Sequence, residues 1–184
     1  NGMTGGDQAI AAFGILMSIV SMIVLPLMGF VTGSQPIIGY NYGAKYNNRV
    51  RDTLKFTMLY ATAFIVIAWI LVMTNTLAFV APFVPNDQNM QQLTCKALRT
   101  FICMMPFVPL GMVSGNFFQG TGKAWRSMFL NACRQLILLI PFLFIMPRFF
   151  GLRGVFMAQP IADFVTAFIA IIMLRAELKN IPRI

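Results

Sequence analysis

The residues best placed to do chemistry in this chain are two opposite charges set inside apolar runs, Arg134 and Asp163. Each lies about ten residues from the nearer end of its run, so roughly 15 Å deep at about 1.5 Å per residue. In a hydrocarbon core about 30 Å thick, both fall near the midplane. An isolated charge there costs a few kcal/mol or more, so the economical arrangement is for the two to pair. Each also lies on a polar stripe: Ser127, Asn131, Arg134 and Gln135 on one run, Gln159, Asp163 and Thr166 on the next. Helical spacing puts each set on one face, which should turn towards the bundle or a wet cavity. Two readings are open. Asp163 exchanges a proton or attracts a cation in a transport cavity, or the pair simply fastens two helices together. An acid paired with Arg is held ionised and is a poor proton carrier.

The elements that must position these charges are membrane helices. Of 184 residues 58% are hydrophobic and only 10% charged, against roughly 25% charged in soluble domains. The expected fold is all-α, a polytopic bundle of five spans at about 9–38, 56–79, 93–118, 124–146 and 152–174. The last two are antiparallel neighbours joined by a short turn. The net charge of +9 is read as topology signal, and no nucleic-acid partner is expected. Lys45, Arg49, Arg51, Lys55, Lys123, Arg126, Arg175, Lys179 and Arg183 fall on one side. Lys96, Arg99, Arg148 and Arg153 fall on the other. The more basic side, with the carboxy terminus, is expected in the cytoplasm of a cell-membrane protein. Five spans then put Asn1 outside, which an upstream helix would explain. The residues from Arg175 onward read as a polar tail.

Other features narrow the chemistry. The stretch from Gln35 to Lys45 closes the first span with Pro36, Gly39, Asn41 and Gly43, reading as a bent, closely packed inner end. Gly29 with Gly33, and Gly111 with Gly115, are spaced to let helices approach closely. Pro106, Pro109, Pro141 and Pro160 are kinks or hinges. Fourteen Met and eighteen Phe would suit an adaptable ligand lining, core or a lipid face. There is no His, and Cys95, Cys103 and Cys133 have no Cys-x-x-Cys spacing, so neither a metal site nor a catalytic site is expected. Gly120-Thr-Gly-Lys123 lacks the first Gly and the final Ser or Thr of a phosphate loop.

Three stretches carry a family resemblance: Gln35-Pro-Ile-Ile-Gly-Tyr-Asn-Tyr-Gly-Ala-Lys45, Phe118-Gln-Gly-Thr-Gly-Lys123, and Phe150-Gly-Leu-Arg-Gly-Val155 followed by Gln159-Pro-Ile-Ala-Asp163. In that order they resemble the carboxy-terminal lobe of multidrug and toxic compound extrusion (MATE) transporters. The resemblance implies a twelve-helix fold of two six-helix lobes, of which this chain would match the last five helices. It implies efflux of small organic, often cationic substrates by proton or sodium antiport, alternating access and no cofactor beyond the coupling ion. Besides membrane lipid, it implies the missing amino-terminal lobe and this lobe's first helix as partners. Some relatives place an acid in the outer half of the third span. Here only Lys96 and Arg99 are charged there, which favours protons over sodium. Two alternatives stand beside efflux, a flippase of lipid-linked sugars and a non-transporting membrane scaffold.

Overall fold

The computed structural model describes residues 5–85 and 87–181, with side chains from Ile10 onward except those of Leu152 and Arg153. Asn1, Asn86 and Arg183 lie outside the described residues, as do the side chains of Asp7 and Arg153. The described chain is helical, with five stretches long and apolar enough to cross a membrane: Ile10–Gly43, Asn47–Thr74, Gln88–Gly120, Ala124–Phe150 and Gly154–Lys179.

Each span begins or ends beyond its apolar run. The first helix, α1 (Gly5–Gly43), passes through Pro26 and Pro36 without interruption. A membrane helix tolerates a missing bond when neighbouring groups re-satisfy its backbone. The second, α2 (Asn47–Thr74), starts in the polar turn rather than near residue 56. It stops at Asn75, whose φ of −117° and ψ of 37° leave helical space, and a short α3 (Thr76–Val80) follows. Asp87 then caps α4 (Gln88–Ile102), its carboxylate accepting from the Met90 N–H at 3.0 Å.

The third span is a broken rod. Pro106 cannot bond Ile102 and Pro109 cannot bond Met105, so the chain turns through a 3₁₀ segment at Met105–Phe107 before α5 (Val108–Gly120). The fourth is interrupted too. Between α6 (Ala124–Ala132) and α7 (Ile140–Phe150) runs a π-helical stretch, Cys133–Leu139. Pro141 sits just after it and offers no N–H to Ile137, which removes one bond of the regular ladder. A turn at Gly151, φ +57°, leads into α8 (Leu152–Lys179).

At the centre is α5. It packs against α1, α2, α6 and α8, and Phe117 and Phe118 on it are fully buried. Around it Leu16, Ile19 and Leu27 of α1, Ile65 of α2 and Leu98 of α4 close the core. The outward faces carry Met22, Leu25, Ile67, Phe144 and Phe168, all exposed. Hydrophobic burial drives nothing on such faces when lipid replaces water; helix contacts there rest on close packing and polar bonds.

Candidate functional site

The two midplane charges meet. Arg134 Nε donates to Asp163 Oδ1 at 2.6 Å. Gln159, one turn earlier on α8, donates to Oδ1 and Oδ2 at 3.2 and 3.4 Å. Asp163 is buried, while the Arg134 side chain keeps 29% of its surface. That surface looks into a cavity of about 300 Å³ between α1, the broken third span and α8. Met17, Met28, Phe101 and Met105 supply apolar walls, with Arg134, Gln159 and Asp163 as the charged and amide edge. Phe13 lies at one end, 6.5 Å from Phe101 and 6.3 Å from Phe156 between ring centres.

Local backbone explains this placement. Arg134 lies in the π-helical stretch, where the extra residue per turn swings side chains out of the α-helical register. The expected stripe is broken, at Gln135 by the same swing and at Asn131 already within regular α6. Ser127 is buried and Arg134 faces the cavity, but Asn131 and Gln135 are exposed on the outside of the described bundle. Neither lines the cavity. On α8 the stripe keeps its register, and Thr166 is buried beside Gly111 of α5, where an added Cβ would stand 3.7 Å from the Thr166 methyl. The Thr166 and Ser127 hydroxyls have no hydrogen-bond partner among the described residues. Neither hydroxyl is at the ion pair.

The two glycine pairs part company. Gly111 and Gly115 lie against Thr166 and Ser127, so the small surface is used. Around Gly29 and Gly33 nothing stands within 4 Å of an added Cβ among the described residues. In the Gln35 stretch, Gly39 is the tight point. A Cβ there would sit 3.0 Å from the Gly120 carbonyl, and one on Gly120 would sit 3.0 Å from the Gln35 carbonyl. The ends of α1 and α5 therefore cross backbone to backbone. Pro36 is exposed and lies inside the continuous helix. Asn41 is buried and bonds its own helix at Ile37 O, 2.8 Å, and Gly43 is open.

Sequence reasoning missed a second charged centre. Glu177, expected in a polar tail, is on α8 and 1% exposed, because the helix continues to Lys179. Its two carboxylate oxygens pair with Lys123 and Arg126. Those cations open α6 directly after its turn from α5, at the basic end of the bundle. Nearby, Arg51 of α2 donates to the carbonyls of Leu178 and Ile181, both at 2.5 Å, and so closes the carboxy-terminal end of α8. Asn116 was also missed. It is buried in α5 and donates to Val31 O of α1. The signal for Glu177 was present in its spacing: it follows Thr166, Ala170 and Leu174 along one buried stripe of α8.

Comparisons with known proteins agree with this architecture. The MatE family model matches residues 2–145. The multidrug export protein MepA of Staphylococcus aureus (strain MSSA476) is 30% identical over 168 residues, which are 91% of this chain and 37% of MepA. MepA of Staphylococcus haemolyticus (strain JCSC1435) is 29% identical over 167 residues. An outward-facing MATE family transporter of the MOP superfamily superposes with a TM-score of 0.89 at 22% identity, covering 98% of this chain and 41% of that one. The MATE multidrug transporter DinF-BH gives 0.85 at 33% identity, covering 96% and 39%. The chain spans 37% of the length of the MepA sequence first named. With five membrane helices, the broken third span and a family match over most of its length, this chain belongs to the MatE family of membrane transporters.

Proposed function

We propose that the chain forms most of the carboxy-terminal lobe of a multidrug efflux transporter that exchanges cations for organic substrates by alternating access. Its carboxy terminus would lie in the cytoplasm of a cell-membrane protein, as the basic side requires. The observation that carries the reading is the ion pair in a cavity wall. A pair serving only to join helices gains nothing from a cavity beside it. Here Arg134 keeps open surface on the cavity side, so Asp163 can change partners without leaving its helix. A cation entering the cavity would compete with Arg134 for the carboxylate, or a proton would neutralise it. Either event releases α6–α7 from α8, and the Pro106–Pro109 break offers a bending point on the opposite wall. Met17, Met28 and Met105 would give varied flat ligands an adaptable surface. A proton is the preferred coupling ion, since Asp163 is the only acid lining the cavity among the described residues. The test is dye efflux from cells carrying the complete transporter, with sodium and pH varied separately. Asp163→Asn should cut efflux and flatten its pH dependence. Unchanged efflux and pH dependence would remove Asp163 from coupling.

A further inference from the structure

A second concavity lies at the basic end, away from the ion pair. It is an open groove of about 860 Å³ between α2 and the last turns of α8. Its lining changes character along its length. At the mouth Arg51, Asp52 and Lys55 surround Leu54; further in, the walls are Met58, Leu59 and Leu174. From Asn48 to Thr62, both in the lining, α2 advances roughly 21 Å at about 1.5 Å per residue. The apolar run begins at Phe56, so the groove starts among the headgroups and its inner end reaches roughly 9 Å into the hydrocarbon. A soluble anion would have no use for the apolar length, and a plain acyl chain none for the cations. Across the mouth two positive charges face one negative, leaving one positive charge in excess. Arg51 uses Nη2 on the end of α8, and its buried Nε has no hydrogen-bond partner among the described residues.

We propose that this groove is a binding site for a singly anionic glycerophospholipid. The phosphate sits between Arg51 and Lys55, and one acyl chain lies along Met58 towards Thr62. Basic recesses between membrane helices bind anionic headgroups in this way. The phosphate also faces Asp52, the nearest acid, which excludes more highly charged headgroups and accepts from headgroup hydroxyls. Bound there, the lipid would bridge α2 to α8 alongside the Arg51 clasp, so the occupied site stiffens the end of α8 that carries Glu177.

The test is native mass spectrometry of the complete transporter released from bilayer nanodiscs of equal phosphatidylglycerol and phosphatidylcholine. The expected result is one retained phosphatidylglycerol per protein, in preference to phosphatidylcholine. Lys55→Gln should lower that retention about fivefold, the loss of one cation near a lipid surface. Thr62→Trp, which fills the inner end without touching a charge, should lower it as well. Lys179→Gln, an exposed cation outside the groove, should leave it unchanged and report that general surface charge is not responsible. Equal retention of the two lipids, or retention indifferent to both groove variants, overturns the proposal. So does displacement by millimolar inorganic phosphate, which would make the site one for phosphate alone. A photo-crosslinker at Leu59 that captures protein instead of lipid would also overturn it, assigning the groove to another helix. None of these outcomes depends on whether Asp163 couples transport.

Discussion

Two acids on one helix, Asp163 and Glu177, have opposite circumstances. Asp163 has one cationic partner and an amide, and it looks into a cavity. Glu177 has two cationic partners, is 1% exposed, and sits where Arg51 also grips the helix end. The first is held by a partner that can be exchanged. The second is held by partners that must both let go. On the function proposed above, the two have separate tasks: at one a change of charge alters the packing, and at the other the same helix stays anchored while it does. Depth alone does not separate them, because a midplane acid is the costlier one to strand and yet is the less enclosed.

This contrast can be broken by thermal unfolding of variants of the complete transporter in detergent. Glu177→Ala should be the most damaging. Removing the acid of a buried pair costs about 3–5 kcal/mol, and about 3 is expected here because Lys123 and Arg126 keep 32% and 42% of their side-chain surface and can turn to water. Gly120→Ala should follow. Its new Cβ would lie 3.0 Å from the Gln35 carbonyl, a backbone atom that moves only with its helix, so a loss of about 1–3 kcal/mol is expected for the overpacking. Asp163→Asn keeps an oxygen for Arg134 and for Gln159 but removes the counter-charge; because Arg134 keeps 29% of its side-chain surface open, the loss should be about 1–2 kcal/mol, below that of Glu177→Ala, while abolishing most efflux. If it unfolds the protein as much as Glu177→Ala does, Asp163 is an anchor too and the distinction fails. The smallest change is expected from Gly33→Ala, within about ±1 kcal/mol, since helix propensity gains and nothing stands in the way. A large loss there would mean that a helix beyond this chain packs on Gly29 and Gly33.

Much of the architecture is legible in the sequence. Long uncharged runs can only be satisfied as spanning helices in lipid, so five spans followed from composition. The meeting of Arg134 with Asp163 followed from the cost of leaving either alone. Gly39 was readable as a close approach because Pro36 and two glycines cluster there. The rest failed for identifiable reasons. Apolar composition marks where lipid begins, not where a helix ends, so the apolar runs miss the start of α2, its stop at Asn75 and the last turn of α8, and Glu177 reads as tail. A strict 3.6-residue period fails at Gln135, inside the π-helical stretch Cys133–Leu139, while Asn131 sits on the edge of the buried stripe of α6 and turns outward. Asn116 carries no pattern of its own; its bond to Val31 O depends on a crossing between helices far apart in sequence. The orphan hydroxyls of Ser127 and Thr166 show the same limit, since burial without a partner has no signature in spacing.

The hold of Arg51 on Leu178 and Ile181 has a consequence for biosynthesis. The guanidinium on α2 waits for acceptors that follow it by 127 and 130 residues. Until those carbonyls arrive, a charged group stands undressed near the bilayer surface. The clasp can therefore close only once both α2 and α8 have entered the bilayer.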